Sequence, residues 1–382
     1  MNIVLYTNIM TPYRKNFYDV IYKECACRGD QFTVLLMAAT EPNRNWNYEE
    51  LKAEYAVLLK GKTISVSDIY IHFNRDLKGA LRQAKPDILI CAGSYLCPGV
   101  WQAVGWAREL GYKAYFWSES HLNEKRDYTS LKTFVREMLR KRIYSKFDGF
   151  WYAGELSKQF IKQYAKETAE YIFVPNLVEE NVYRKASEFS KEQKSKLRHK
   201  MNIPDGSTVF FCPARLSKVK GIDLFLPLLK RAAHHDSTIV LIAGEGELRN
   251  DIISMAHEME LDIRLLGSCE QNMMVKLYAA SDFFLLPSIS DPNPLSCIEA
   301  LWAGLPLLIS EHCGNHPEVI CSGKNGFVFD YTDENVAICT IERAITTDED
   351  WRETAKIVSL QIASKNYQTK TAVDRLLDAL HT

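Results

Sequence analysis

Two acids frame a tight corner in the stretch Ser288–Pro306, SISDPNPLSCIEALWAGLP, which follows the apolar run DFFLLP. The residue before a proline is pushed out of the helical region, so Asn293-Pro294 marks a turn. Pro294 then suits the first turn of a helix, where its missing N–H does no harm. The helix LSCIEALWAG stops at Gly304. Asp291 therefore falls just outside a helix N-terminus, and Glu299 about a turn and a half inside it. Free N–H groups at such an end, where Asn293, Pro294 and Leu295 lie, favour oxygen-rich ligands. The two carboxylates can accept hydrogen bonds from sugar or ribose hydroxyls. A capping aspartate followed by a surface glutamate would give the same letters. Against that, Glu299 sits in an otherwise apolar helix, where an acid needs a partner or a function.

Other apolar runs end on residues of similar interest. After VFFCPA comes RLSKVKG, with Arg215 and Lys220 ahead of Gly221 and a helical pattern. Cations beside a helix start suit a diphosphate, although a solvated turn also carries such charges. Gly244 and Gly246 in AGEGELR permit a tight strand-to-helix turn, and IRLLG ends on Gly267. His312 and His316 are separated by a glycine, which argues against one helical face and a metal pair. No metal ligand set and no cofactor is expected.

These corners need strands to carry them. NIVLYT (2–7), FTVLLM (32–37), DILICAG (87–93), KAYFWS (113–118), GFWYAG (149–154) and YIFVPN (171–176) read as buried strands. Amphipathic segments separate them; in SLKTFVREMLRKRIYSKF, Leu131, Phe134, Val135, Met138 and Leu139 share one helical face. The polar segment 185–206 marks a boundary. A second set follows: TVFFCPA (208–214), STIVLIAG (237–244), IRLLG (263–267), DFFLLPS (282–288), LPLLIS (305–310) and GFVFD (326–330), then a polar helical tail. The pattern predicts an α/β fold of two Rossmann-like domains with parallel sheets. Ligands of such sheets sit outside the carboxyl ends of the strands, which points to the cleft between the halves.

The bulk numbers narrow the classes. A chain of 382 residues suits two domains. Its formal charge of -1 gives no argument for nucleic acid. Ten scattered cysteines without CxxC spacing suit reduced, mostly buried thiols. MNIVLYTNIM lacks a basic leader pattern, and no apolar run reaches the length that spans a bilayer, so a cytoplasmic protein is expected. Residues 1–183 hold 25 Lys and Arg against 21 Asp and Glu, a formal +4, and the remainder is -5. Lys132, Arg136, Arg140, Lys141, Arg142 and Lys146 cluster in one helical segment. That cluster suits either an anionic membrane face or a solvated helix surface.

The ordered set PARLSKVKG, IAGEGELR, LLGSCEQNMMVKLYAASDFFLLPS, DPNPLSCIEALWAGLPLLIS, GNHPEVI and GKNGFVFD resembles the donor domain of retaining GT-B glycosyltransferases of family 4. The likeness covers nearly all of 208–330. TPYRKNFYDVI and FVPNLVEENVY resemble, more loosely, the first-strand loop and the end of the first domain. The resemblance implies an acceptor-side domain over 1–183, a nucleotide-sugar donor domain over 184–365, and a helix over 366–382 that crosses back to the first domain. It implies that Glu299 binds the ribose, that Asp291 lies near the donor sugar, and that Arg215 and Lys220 bind the diphosphate. Asn293, Pro294 and Leu295 then contact the sugar, with Gly244 and Gly267 in the same binding set. Aspartate replaces the family's first glutamate, and Pro294 removes one amide. In the first domain Glu119, two residues before His121, stands where the family often places a histidine. Thr11, Tyr13 and Arg14 become the acceptor-side groups. The implied activity is metal-independent, retaining transfer from a UDP- or GDP-sugar to a glycan or lipid-linked acceptor. An epimerase or hydrolase on the same fold, and a non-catalytic nucleotide-sugar-binding subunit, are the competing readings.

Overall fold

The computed structural model describes residues 1–41, 48–66, 69–121 and 130–382. Among these, one compact unit holds 1–177 together with Thr369–Thr382, and a second holds Val178–Gln368. The first unit ends at Leu177 rather than after residue 183. The reason is local: helix Glu180–Ser187 packs on helices Gln271–Ala280 and Leu295–Trp302 of the second unit.

The first unit is built on β1 (Asn2–Thr7), β2 (Gln31–Leu36), β3 (Ala56–Leu58), β4 (Gly61–Val66), β5 (Ile69–Asn74), β6 (Ile88–Ala92), β7 (Lys113–Ser118), β8 (Gly149–Tyr152) and β9 (Glu170–Phe173). Seven of these form one parallel sheet in the order β3-β2-β1-β6-β7-β8-β9, while β4 and β5 make a separate antiparallel hairpin. Runs such as ILICA are buried along their whole length because helices cover both faces of a parallel sheet. The helix Pro12–Arg28 opens with proline at its start and ends on Gly29 in the left-handed conformation. Against it lies helix Thr369–His381, which buries Ala372, Val373, Leu376 and Leu377. Arg28 reaches Asp378 and Asp374 at 2.5 and 3.2 Å. Exposed pairs of this kind contribute roughly 0–1 kcal/mol each, so the buried aliphatic stripe holds the helix.

The second unit carries β10 (Thr208–Pro213), β11 (Thr238–Ala243), β12 (Asp262–Gly267), β13 (Phe283–Leu286), β14 (Leu307–Ser310) and β15 (Gly326–Phe329). They form one parallel sheet in the order β12-β11-β10-β13-β14-β15. At its amino edge, buried Asp282 accepts from the Val209 amide and from Lys194 at 2.9 Å and Arg198 at 2.5 Å, with Arg352 at 3.4 Å. One carboxylate thereby ties two helices, Lys191–Lys200 and Glu349–Asn366, to two adjacent strands.

Helix Ser130–Tyr144 departs from the sequence expectation. Phe134, Val135 and Met138 are exposed, while Arg140, Ile143 and Tyr144 are buried. Periodicity identifies an apolar stripe but not which side of it the neighbours cover. All ten cysteines are free, and six of them are buried.

Candidate functional site

In the second unit, the predicted residues gather at the carboxyl ends of β10, β11, β13 and β14. The chain leaves β10 through Arg215 and turns at Lys218–Lys220 into Gly221, which adopts φ 63°. A Cβ on Gly221 would stand 2.2 Å from the Pro287 carbonyl, so the β10 and β13 loops touch backbone to backbone there. Tyr331 fixes this contact by donating to the carbonyls of Pro287 and Gly221 at 2.6 and 3.2 Å. The result places the Lys220 ammonium on the Asp291 carboxylate, with both side chains mostly buried. Arg215, earlier in the same loop, is exposed.

Asp291 is also held through its backbone. Its amide donates to the His312 carbonyl at 3.2 Å, and its carbonyl accepts from Gly314 at 2.8 Å. Pro294 sits just before the helix rather than in its first turn, with ψ 118°, and the helix spans Leu295–Trp302. Buried Asn315 donates to the Pro294 carbonyl at 3.1 Å and to the Asn293 side chain at 3.2 Å. Its amide thus locks the corner that the sequence marks with Asn-Pro.

Glu299 projects from the inner turn of that helix and keeps part of its surface accessible. The Tyr278 hydroxyl donates to it at 2.8 Å, and Tyr183 also bonds it. Burial pushes the Glu299 carboxyl above the usual carboxylate range, against the pull of both hydroxyls. Tyr183 and Tyr278 meet edge to face with ring centroids 5.8 Å apart. Neither tyrosine stood out in the sequence; Tyr278 reads as one more apolar-face residue of MMVKLYAA. An acid buried in an apolar helix was the available signal that some partner must exist.

Gly244 and Gly267 pair backbone to backbone, the Gly244 amide donating to the Gly267 carbonyl at 2.8 Å. A Cβ on Gly244 would approach the Ala214 carbonyl to 2.1 Å. Both glycines thus seat the β11 and β12 ends against the Arg215 loop. His316 follows in a short helix, and burial lowers its pKa. Glu311, His312 and Asp330 bring one ligand atom each within 4.8 Å of one another, whereas His312 and His316 do not form such a group among the described residues.

In the first unit, Arg14 and Glu119 meet at 3.4 Å. Arg14 also donates to Thr7 at 3.2 Å and lies 5.0 Å over the Trp117 ring. Thr11 and His121 are buried and Tyr13 is half-exposed. The acid after β7 and the cation after β1 therefore form one charged pair between the ends of two strands that flank β6 in the sheet.

The basic cluster needs one correction. Arg140 is buried inside a cage of Tyr95, Phe160 and Tyr164, with its guanidinium 4.8–5.3 Å from the three rings. It stabilises the packing and presents no charge to solvent. Lys141, Arg142 and Lys146 are exposed and Arg136 is half-exposed, while the Lys132 side chain lies outside the described residues.

Residues 193–358 match the model of the family Glycosyl transferases group 1. That stretch, less than half of the chain, is similar to the glycosyl transferases group 1 family. It includes Arg215, Lys220, Asp291 and Glu299, so the candidate donor site lies inside the matched segment. Among curated relatives, glycogen synthase of Bacillus cytotoxicus is 26% identical over 193 residues, 48% of this chain and 40% of that protein. Alpha-monoglucosyldiacylglycerol synthase of Streptococcus pneumoniae is 25% identical over 239 residues, 61% of this chain and 52% of that protein. The chain thus spans about half the length of the curated relatives it matches. The crystal structure of Anabaena HepE in complex with UDP superposes over 100% of both chains with a TM-score of 0.74 at 16% identity. That likeness shows a shared fold, the GT-B type with two Rossmann-like domains.

Proposed function

We propose that the protein is a retaining, metal-independent hexosyltransferase that moves a sugar from a UDP- or GDP-sugar to a glycan or lipid-linked acceptor. The observation that carries this reading is the Glu299 carboxyl, oriented by Tyr278 and Tyr183 and flanked by the Lys220–Asp291 pair at the same helix. Glu299 accepts from the two ribose hydroxyls. The diphosphate competes with Asp291 for the Lys220 ammonium, and Arg215 supplies the second cation. Asp291 is then released to accept from a sugar hydroxyl. When the bond from C1 to the phosphate oxygen breaks, its electron pair leaves with the nucleoside diphosphate. Fixed cations at that oxygen stabilise the charge that develops, a term that is often the largest in such catalysis. The acceptor oxygen attacks C1 on the face the leaving group occupied and passes its proton to the departing phosphate oxygen. UDP bound to HepE and the monoglucosyldiacylglycerol named as the product of the pneumococcal relative support the donor and acceptor classes.

A thermal-shift screen against UDP, GDP, ADP and their sugars identifies the nucleotide, since a ligand specific to the folded state raises its stability. Glu299→Ala and Lys220→Ala each abolish turnover on the sugar so identified. Near-normal turnover in both variants would sink the assignment. Product analysis with and without acceptor separates transfer from hydrolysis or epimerisation.

Among the described residues no helix is long and apolar enough to cross a membrane. The reading includes peripheral contact with an anionic bilayer through the outer face of helix Ser130–Tyr144. That face combines exposed Phe134, Val135 and Met138 with Lys141 and Arg142, as interfacial helices do. Co-sedimentation with anionic liposomes is expected to fall as salt rises and to be lost in Lys141→Ala/Arg142→Ala. Unchanged binding of that variant ends this part of the reading.

A further inference from the structure

The β4–β5 hairpin of the first unit is amphipathic in an inverted sense. Its register pairs Lys62 with Phe73 and Ile64 with Ile71 on one face, and Thr63 with His72 on the other. Along β5 the polar face is the packed one. His72 is fully buried between Glu41 at 3.0 Å and Thr63 at 2.9 Å, and Asn74 accepts from the buried Tyr6 hydroxyl at 2.8 Å. The apolar face looks outward, with Ile64 and Phe73 exposed by 50% and 41%. Opposite stands helix Pro98–Leu110, which turns Pro98, Gln102 and Trp106, one helical face, toward the hairpin. Between them lies a groove of about 900 Å³, a volume typical of small-molecule sites. Lys60, Lys62, Arg75 and Lys78 surround it, with Asp76 as the acid of its lining. Asp76 is committed to the Lys60 amide at 3.0 Å, and Lys78 to Glu109 at 2.8 Å with its ammonium 5.1 Å from the Trp106 ring.

We propose that this groove seats the apolar chain of an anionic amphiphile, with its phosphate head at the Lys60–Lys62–Arg75 rim. A free phosphate would leave the apolar floor in water, and a neutral chain would leave the cations without a counter-charge. Both features together fit a lipid phosphate. A second copy of this face would bring like charges together, which disfavours a dimer across it. The groove begins at the N-terminus of the helix that follows β6, on the carboxyl side of the sheet, where ligands of such folds bind. The inference rests on the proposed lipid-linked acceptor and gives it a place on this chain.

The test uses the full chain and monomeric dodecyl phosphate, titrated by calorimetry below its micellar concentration. Dodecyl phosphate is expected to bind at least tenfold more tightly than inorganic phosphate or dodecyl maltoside. Ile64→Ser/Phe73→Ser and Lys60→Ala/Lys62→Ala/Arg75→Ala, all at exposed positions, each weaken it at least tenfold. Both variants keep the wild-type thermal shift with the donor nucleotide, which shows an intact fold. Wild-type affinity in either variant overturns the proposal, as does equal binding of dodecyl maltoside or of inorganic phosphate. Binding to anionic vesicles without binding to the monomeric amphiphile, or dimerisation that the Ile64/Phe73 variant abolishes, also overturns it. A wild-type chain that binds dodecyl phosphate yet shows no nucleotide shift leaves the groove standing and removes the donor reading instead.

Discussion

The role proposed for Glu299, accepting hydrogen bonds from ribose hydroxyls, needs the ionised carboxylate. Burial raises its pKa, so protonation competes with donor binding closer to neutral pH than for an ordinary glutamate. The donor KM is therefore expected to rise as pH falls through the raised pKa, while activity on the alkaline side stays level. Glu299→Gln flattens this profile at a uniformly higher KM. A wild-type profile as flat as the variant's would count against the ribose role. Tyr278→Phe removes one hydrogen bond to the charged form, an interaction worth about 1.5–3 kcal/mol, and moves the acidic limb of the profile to higher pH.

Secondary elements were legible where the apolar pattern is dense. All twelve runs read as strands are strands, because most are buried along their length and all are dense in apolar residues; the edge strands β9 and β12 are only half-buried. The hairpin β4–β5 was not read: GKTISV and IYIHFN alternate polar with apolar, residues 61–65 are all exposed, and along β5 burial runs opposite to polarity. The face of helix Ser130–Tyr144 was misjudged for the same kind of reason. The acids and cations of the candidate donor site could be placed by their position after strands, and the Lys220–Asp291 contact agrees with that placing. Their fixing partners, Tyr183, Asn315 and Tyr331, come from distant segments that no local spacing links. Asp282 shows the same limit, since its cations lie 84, 88 and 70 residues away along the chain. The Asp282 carboxyl is buried, which alone would raise its pKa, yet Lys194, Arg198, Arg352 and the Val209 amide together hold it below the ordinary 3.8. A depressed pKa contributes stability above the unfolded value and loses it as pH falls through the folded one. Asp282→Asn is expected to destabilise the second unit by about 3–5 kcal/mol at neutral pH, because it leaves buried cations without their anion. The gap between variant and wild type narrows below pH 4. A loss under 1 kcal/mol in urea unfolding would show the cluster to be incidental.

The molecule is discontinuous in sequence. Its first unit takes the leading segments and then Thr369–Thr382, so the whole second unit is an insertion within the first. Removing Thr369–Thr382 uncovers the face of helix Pro12–Arg28 on which Val373, Leu376 and Leu377 pack. Such a truncation is expected to lower the melting temperature of the first unit and leave that of the second unchanged, with two transitions resolved by calorimetry. Loss of both transitions together would show the units to be one cooperative block. The order of synthesis adds a consequence. On the ribosome the second unit is complete before the helix that finishes the first has been translated. The first sheet must wait, partly uncovered, through roughly two hundred residues of elongation, about 10–40 s at roughly 5–20 residues per second. During that interval the unit most exposed to chaperones and proteases is the one made first, and a premature stop late in the message damages the N-terminal unit while sparing the second unit.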